Sequence, residues 1–332
     1  MKIAVYTSAI ISLALGACPA SAGGAILDTN FSFYVGMCDA SAAVALNNEL
    51  FAVANDEDNS LRVYHASKGG LPVSSQDLST LLKVDRKKPE TDLEAACWLG
   101  DHIYWISSHG RNRDGKFRAS RHRFFATKVE EKADRLQLSA VGRVYVNLLP
   151  DLLRDPRLRP YRLDRASLLP PKAAGGLNIE GLCATPEDTL LIGFRNPIPQ
   201  KRALLVPLLN PAEVINGKIS RLGAPILLDL GGRGIRDIVR WRKRYVIIAG
   251  AHDGSENSKL FEWSGDSGPP RELTTVTFKN FNPEVIIVYP DNAKPFQLLS
   301  DDGTVIINGV GCKTLANTNL RKFRAAWVSL PE

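Results

Sequence analysis

Short apolar runs broken by polar turns fill most of the chain, and one pattern of them recurs. Glu94–Ser107 aligns without a gap with Glu180–Gly193 and with Asp237–Gly250. Ser41–Ala54 is a fourth copy, which lacks the leading acid but has Asp39 just ahead. Glu284–Ser300 is a fifth, with a few extra turn residues around Pro290-Asp-Asn. Each copy reads as strand, turn, strand, because apolar runs bounded by Asn-Asn, Gly-Asp or Pro-Glu-Asp are hairpin signals. Further strand-like runs follow, at Leu61–Tyr64, Arg123–Val129, Ala203–Pro207 and Lys259–Trp263, and another at Pro225–Leu230. About four strands per repeat of roughly 50 residues is the pattern of β-propeller blades. The expected fold is therefore all-β: a propeller of five or six four-stranded blades. The long interval between Glu94 and Glu180 holds either an insertion, within about residues 109–171, or a sixth blade.

Propeller topology turns this repeat into a statement about chemistry. The residues that open the inner strand of a blade share a face with the loop that leaves its second strand. Asp92 and Glu94 thus join His109, Arg111 and Asn112. Asn178 and Glu180 join Arg195 and Asn196, while Arg236 and Asp237 join His252, and Glu284 joins Asp301-Asp302. Glu94, Glu180, Glu284 and Asp237 are hard oxygen ligands suited to a divalent cation such as calcium. Arg111, Arg195 and Arg236, with Asp92, Asn112, Asn178 and Asn196, could orient a small anionic ligand, since guanidinium matches carboxylate or phosphate in bidentate fashion. His109 and His252 are the candidate proton carriers. The competing reading is that the repeated acids bond a neighbouring blade and simply hold the ring together.

Composition narrows the picture further. The chain is 332 residues long, 44% apolar and 23% charged, which excludes a disordered or collagen-like protein. Its formal charge of +7 favours acidic partners without naming one. The basic stretch His109–Arg123 carries only one interleaved Phe, so nucleic acid is not an expected partner. No serine-hydrolase elbow, phosphate-binding glycine loop or His-Glu-x-x-His occurs, so no nucleotide cofactor is expected.

Met1-Lys2, the apolar stretch Ile3–Ala17 and the end Ala20-Ser21-Ala22 form a secretory signal peptide, residues 1–22. Leu15-Gly16-Ala17-Cys18 offers a lipoprotein box as the alternative, with a lipid anchor at Cys18. Either way the protein is expected to be exported, periplasmic or secreted, with a single propeller over residues 23–332. No transmembrane segment is expected, and the chain should be a monomer. Of the remaining cysteines, Cys38 and Cys312 could tie the chain ends together, or all four could be buried thiols.

Gly175-Gly-Leu-Asn-Ile-Glu-Gly-Leu182, Leu190-Leu-Ile-Gly-Phe-Arg-Asn-Pro197, Glu90–Glu94, Ile103–Asn112 and Leu228–Gly232 carry a resemblance. Through these runs the chain resembles a family of exported bacterial proteins of unknown function, which implies a propeller-like fold and no activity. More distantly, its Glu-Gly-Leu strand opening is similar to that of phytase-like and esterase-like propellers, and of lactonase propellers that hold calcium through such a glutamate. That likeness implies Glu180 as the first metal ligand, with Glu94 and Glu284 next. It also implies metal-assisted hydrolysis of a phosphoester, ester or lactone as the candidate activity. The rival function is a non-catalytic binding or interaction module of the envelope.

Overall fold

The computed structural model describes residues 24–85, 87–132, 135–255, 257–291 and 295–330. The expected signal peptide and the lipid-anchor alternative at Cys18 lie outside these residues. Five four-stranded antiparallel sheets stand around a channel as the blades of a β-propeller. The first blade comprises Ala42–Ala45, Leu50–Ala54, Ser60–His65 and Ser74–Asp77. The second comprises Leu93–Leu99, His102–Ser107, Phe124–Lys132 and Arg135–Tyr145. The third comprises Asn178–Ala184, Leu190–Asn196, Ala203–Leu208 and Ile226–Leu228. The fourth comprises Gly234–Trp241, Arg244–Gly250, Lys259–Trp263 and Arg271–Glu272.

The fifth blade closes the ring with both ends of the chain. Pro283–Ile287 and Phe296–Ser300 are followed by Lys322–Ser329, and Ile26–Leu27 supplies its outer edge. Ser32–Val35 pairs with the other end of Lys322–Ser329, so the N-terminal segment is stitched to the C-terminal strand over two stretches. A disulfide joins Cys38 to Cys312 and reinforces this closure, while Cys97 and Cys183 are free thiols. The inner strands of successive blades touch one another all the way round, including the fifth against the first.

Packing explains why these runs are apolar throughout instead of alternating. Each middle strand is covered on both faces by neighbouring blades, and Leu190–Asn196 is buried along its whole length. Between the second and third blades, Tyr104, Ile106 and Phe124 meet Leu182, Ile192, Phe194 and Leu204 in one cluster. Each such large side chain contributes about 1.5–3 kcal/mol by leaving water. Where blades come closest, Gly181 and Gly193 face Ile235 of the fourth blade. A Cβ on either glycine would lie 2.9 Å from Ile235 Cγ2, so the position excludes a side chain.

Among the described residues, the long interval between Glu94 and Glu180 contains no sixth blade. The outer hairpin of the second blade, Phe124–Tyr145, takes up part of it. The short helices Leu148–Arg154 and Leu163–Ala166 follow, and their leucines Leu148, Leu152 and Leu163 join the cluster under the second and third blades. Among the described residues, no helix is long and apolar enough to cross a membrane.

Candidate functional site

Four of the five inner strands carry a β-bulge at the same place. Leu93 pairs with Ser107 and Ala95 with Ile106, which leaves Glu94 between them unpaired. The same skip falls on Glu180 between Ile179 and Gly181, on Arg236 between Ile235 and Asp237, and on Glu284 between Pro283 and Val285. A bulge leaves the extra residue outside the ladder and re-aims its side chain. The first blade has no bulge: Ser41 stands at the corresponding place and donates its hydroxyl to Leu93 O of the second blade, at 2.6 Å.

This register departs from the gap-free sequence alignment at one position. The residue equivalent to the three glutamates in the fourth blade is Arg236, and Asp237 lies one step further along. Asp237 accepts Ile238 N–H at 2.8 Å and, from the fifth blade, Ile286 N–H at 2.7 Å. Its carboxylate therefore ties two blades together and is not grouped with the three glutamates. Burial pushes its pKa up to about 7, against the lowering effect of those two amides.

Glu94, Glu180 and Glu284 come together at the channel mouth. Each is buried, and each offers a carboxylate oxygen within 4.8 Å of the other two. Glu180 Oε1 accepts from Arg195 at 2.7 Å and from Asn178 at 2.6 Å. Glu180 as a whole is 2% exposed, and its Oε2 has no hydrogen-bond partner among the described residues. Arg236 pairs with Glu284, donates to Asn282 Oδ1 at 2.7 Å, and brings its Nε to 3.8 Å from Glu180 Oε2. Two guanidinium groups thus face three carboxyl groups. Burial, then the nearby charges of Asp92, Glu180 and Asp56, raise the Glu94 pKa well above the usual carboxylate range.

A second tier surrounds this centre. Asp92, whose backbone φ is 55°, is bonded by Arg121 at 2.7 Å, and Arg121 also pairs with Glu90. Burial holds the Asp92 pKa up, at about 6, although Arg121 opposes the shift. Asp302 takes both Arg324 Nε and Nη2, at 2.9 and 2.7 Å. Lys313, next to the disulfide, reaches Glu57 at 3.2 Å. Burial raises Asp56 to about 8, and Asp92 and Asp301 add to that shift. Burial, with a hydrogen bond to Asp301, raises Asp39 to about 9. Most of these side chains line a cavity of about 1420 Å³ in which carboxylates outnumber cationic groups eleven to seven, so the mouth is acidic despite the basic chain.

The other sequence candidates divide. Asp92, Asn112, Asn178, Arg195 and Arg236 line the cavity with the three glutamates. Arg111 does not, because its guanidinium is held by Ser167 O at 2.9 Å and Gly115 O at 3.0 Å. Asn196 is buried and donates to Pro171 O and Ala173 O at 2.8 and 2.7 Å, which pins the end of the insertion. His109 is buried behind the wall with Nδ1 on Ser107 O at 2.7 Å, and burial lowers its pKa to about 3. His252 is half-buried on a rim loop whose next residues, Asp253, Gly254 and Ser255, line the cavity. Arg121, Lys313 and Arg324 are site residues that the strand pattern did not single out. Arg121 was hidden in the basic stretch, Arg324 in the closing strand, and Lys313 only becomes a neighbour of Asp39 once Cys312 pairs with Cys38.

No curated protein sequence matches the chain. Among solved structures it is similar to a putative oxidoreductase (glucose dehydrogenase) of Thermus thermophilus, at 12% identity and a TM-score of 0.47, over 92% of this chain and 100% of that one. It is similar to glutaminyl cyclase of Myxococcus xanthus at 11% identity and a TM-score of 0.47, over 93% and 97% of the two chains. A PQQ-bound aldose sugar dehydrogenase of Streptomyces coelicolor aligns at 10% identity and a TM-score of 0.44, over 92% and 100%. The family described as "Protein of unknown function (DUF3616)" matches residues 120–287, just over half of the chain, and the chain belongs to that family.

Proposed function

We propose that this propeller binds a divalent cation, calcium, between Glu94, Glu180 and Glu284, and through it a small anionic ligand. The observation that carries the reading is the buried Oε2 of Glu180, which no hydrogen bond satisfies among the described residues, inside a trio of carboxylates whose oxygens approach within 4.8 Å. Like charges at that spacing need a proton, an arginine or a metal ion to coexist. The two arginines serve Glu180 and Glu284, and Glu94 keeps its proton until a cation replaces it. The fit is chemical too, since hard carboxylate and amide oxygens suit calcium. An acidic mouth gives an anion no general welcome, so its charge must meet the cation and the guanidinium groups of Arg121, Arg195 or Arg236.

In the catalytic version, the reaction is hydrolysis of a phosphoester, ester or lactone. A bound cation would polarise the substrate oxygen or lower the pKa of a water. The chain's own part is then to orient the anionic group through Arg121 and Arg195, and to take up a proton on Asp92, whose pKa of about 6 keeps it mostly ionised at neutral pH. The Cys38–Cys312 disulfide supports export, the expectation from residues 1–22, since such bonds persist in oxidising compartments.

A second reading, a non-catalytic binding module with structural carboxylates, is favoured by one specific feature. Arg236 of the fourth blade bonds Glu284 and Asn282 of the fifth, so part of the acid ring already joins blades. Metal analysis of the purified protein, with melting measured with and without calcium, separates the two. Bound metal or a calcium-dependent rise in melting temperature supports the cation site. Absence of both rejects it in favour of the structural ring.

A further inference from the structure

The insertion between the second and third blades presents a face that the acidic mouth does not use. From Leu148 to Lys172 it carries six basic residues against three acidic ones. Each acid already has an arginine: Asp151 meets Arg154 at 3.1 Å, Asp155 meets Arg157, and Asp164 meets Arg162 at 3.4 Å. Arg159 and Arg165 are exposed and have no carboxylate partner among the described residues. These surplus cations call for an anionic partner.

Apolar side chains are set among the same cations. Buried Leu152, Leu158 and Leu163 lie under a cleft of about 380 Å³, which Leu153, Arg159 and Arg162 also line. Next to it, and sharing the helix Leu148–Arg154, a second cleft of about 390 Å³ brings Arg154 and Arg157 together with Ile219, which is 68% exposed. Lys218 and Arg221 flank Ile219 and share one acid, Glu213, 3.8 Å from each. Leu168 N–H bonds Arg165 O at 3.0 Å, so the turn continues and sets Leu168, 64% exposed, on the same side as Arg165. Six of the fifteen large apolar side chains exposed among the described residues fall between residues 146 and 219. That is well above the segment's share of the chain, and it distinguishes a patch from the single exposed leucines normal on any surface.

The composition of the face selects the partner. Exposed leucine and isoleucine interleaved with arginine and lysine is the pattern of segments that lie in a membrane interface. Long arginine stems can lie along apolar surface while their guanidinium groups meet lipid phosphates. A protein interface would favour aromatic anchors. From Leu148 to Lys172 the one aromatic residue is Tyr161, and it is half-buried against the core.

We propose that this face docks the protein on a membrane surface rich in anionic phospholipid, with Arg159 and Arg165 on the phosphates and Leu153, Leu168 and Ile219 in the boundary between headgroups and acyl chains. The test is co-sedimentation with vesicles at physiological ionic strength. It uses the chain from Gly23 on, which holds the whole propeller, so that the apolar stretch Ile3–Ala17 does not contribute. Chelator is present throughout, so that calcium cannot bridge the acidic mouth to lipid. Binding is expected to vesicles of phosphatidylglycerol and phosphatidylethanolamine and not to phosphatidylcholine alone. Arg159→Gln/Arg165→Gln should bind about thirtyfold more weakly, and Leu168→Ser should weaken binding further, with circular dichroism unchanged. Lys243→Gln/Lys279→Gln removes the same charge from two exposed lysines elsewhere and should bind nearly as the unsubstituted protein does. An equal loss in that control would overturn the proposal in favour of diffuse attraction by the net charge. No binding to anionic vesicles would overturn it too, and leave the face to an acidic protein partner.

Discussion

Glu180 and Arg195 show how tightly charge is balanced at the mouth. Both are almost fully buried, and Arg195 holds the carboxylate oxygen that Asn178 also bonds. Removing one partner of a buried pair leaves an uncompensated charge, at a cost of about 3–5 kcal/mol. Arg195→Met should therefore lower stability by about that amount in urea unfolding, and calcium should restore part of it by taking the place of the lost cation. Asp237 allows the opposite test. Its carboxylate serves two backbone amides across a blade boundary, so Asp237→Ala should cost about 1–3 kcal/mol for the orphaned Ile286 N–H. Calcium affinity should not change in that variant, and a large loss of affinity would return Asp237 to the ligand set.

Strand boundaries and blade identity were legible in the residues because each blade buries both faces of its middle strands, which leaves short unbroken apolar runs between turn residues. The pairing of Asp237 with the glutamates was not, because a β-bulge adds one residue to a strand without changing its composition. Arg236-Asp237 presents a charge at either step, and only the ladder register, Ile235 with Ala249 and then Asp237 with Ile248, shows which one turns inward. The fifth blade was half hidden for another reason: its edge strand, Ile26–Leu27, pairs with Val328 and Ser329 at the far end of the sequence. A contact of that range leaves no local signature. The disulfide acts on this same closure, so Cys38→Ser should cost about 2–4 kcal/mol. An unchanged urea midpoint in that variant would mean that the strand pairing alone holds the ring shut.

The charge of the molecule is divided: a chain of formal charge +7 carries an acidic mouth. That division has a pH signature. The fold raises the pKa values of Glu94, of Asp56 to about 8 and of Asp39 to about 9, so it binds more protons than the unfolded chain. Their contribution to stability is complete below the unfolded carboxylate pKa of about 4 and is lost as pH climbs through those folded values. His109 and His122 give the opposite slope, since their folded values are lowered, but only below their unfolded pKa of about 6.5. The melting temperature of calcium-free protein should therefore fall between about pH 7 and 9, and calcium should flatten the fall; scanning calorimetry at fixed ionic strength reads both. The most direct measurement is calorimetric titration of chelator-treated protein with calcium at neutral pH, alongside Glu180→Gln. Saturable binding of one calcium per chain is expected, weakened at least about tenfold in the folded variant. No heat of binding in the unsubstituted protein, or equal affinity in Glu180→Gln, would contradict a cation site at the three glutamates.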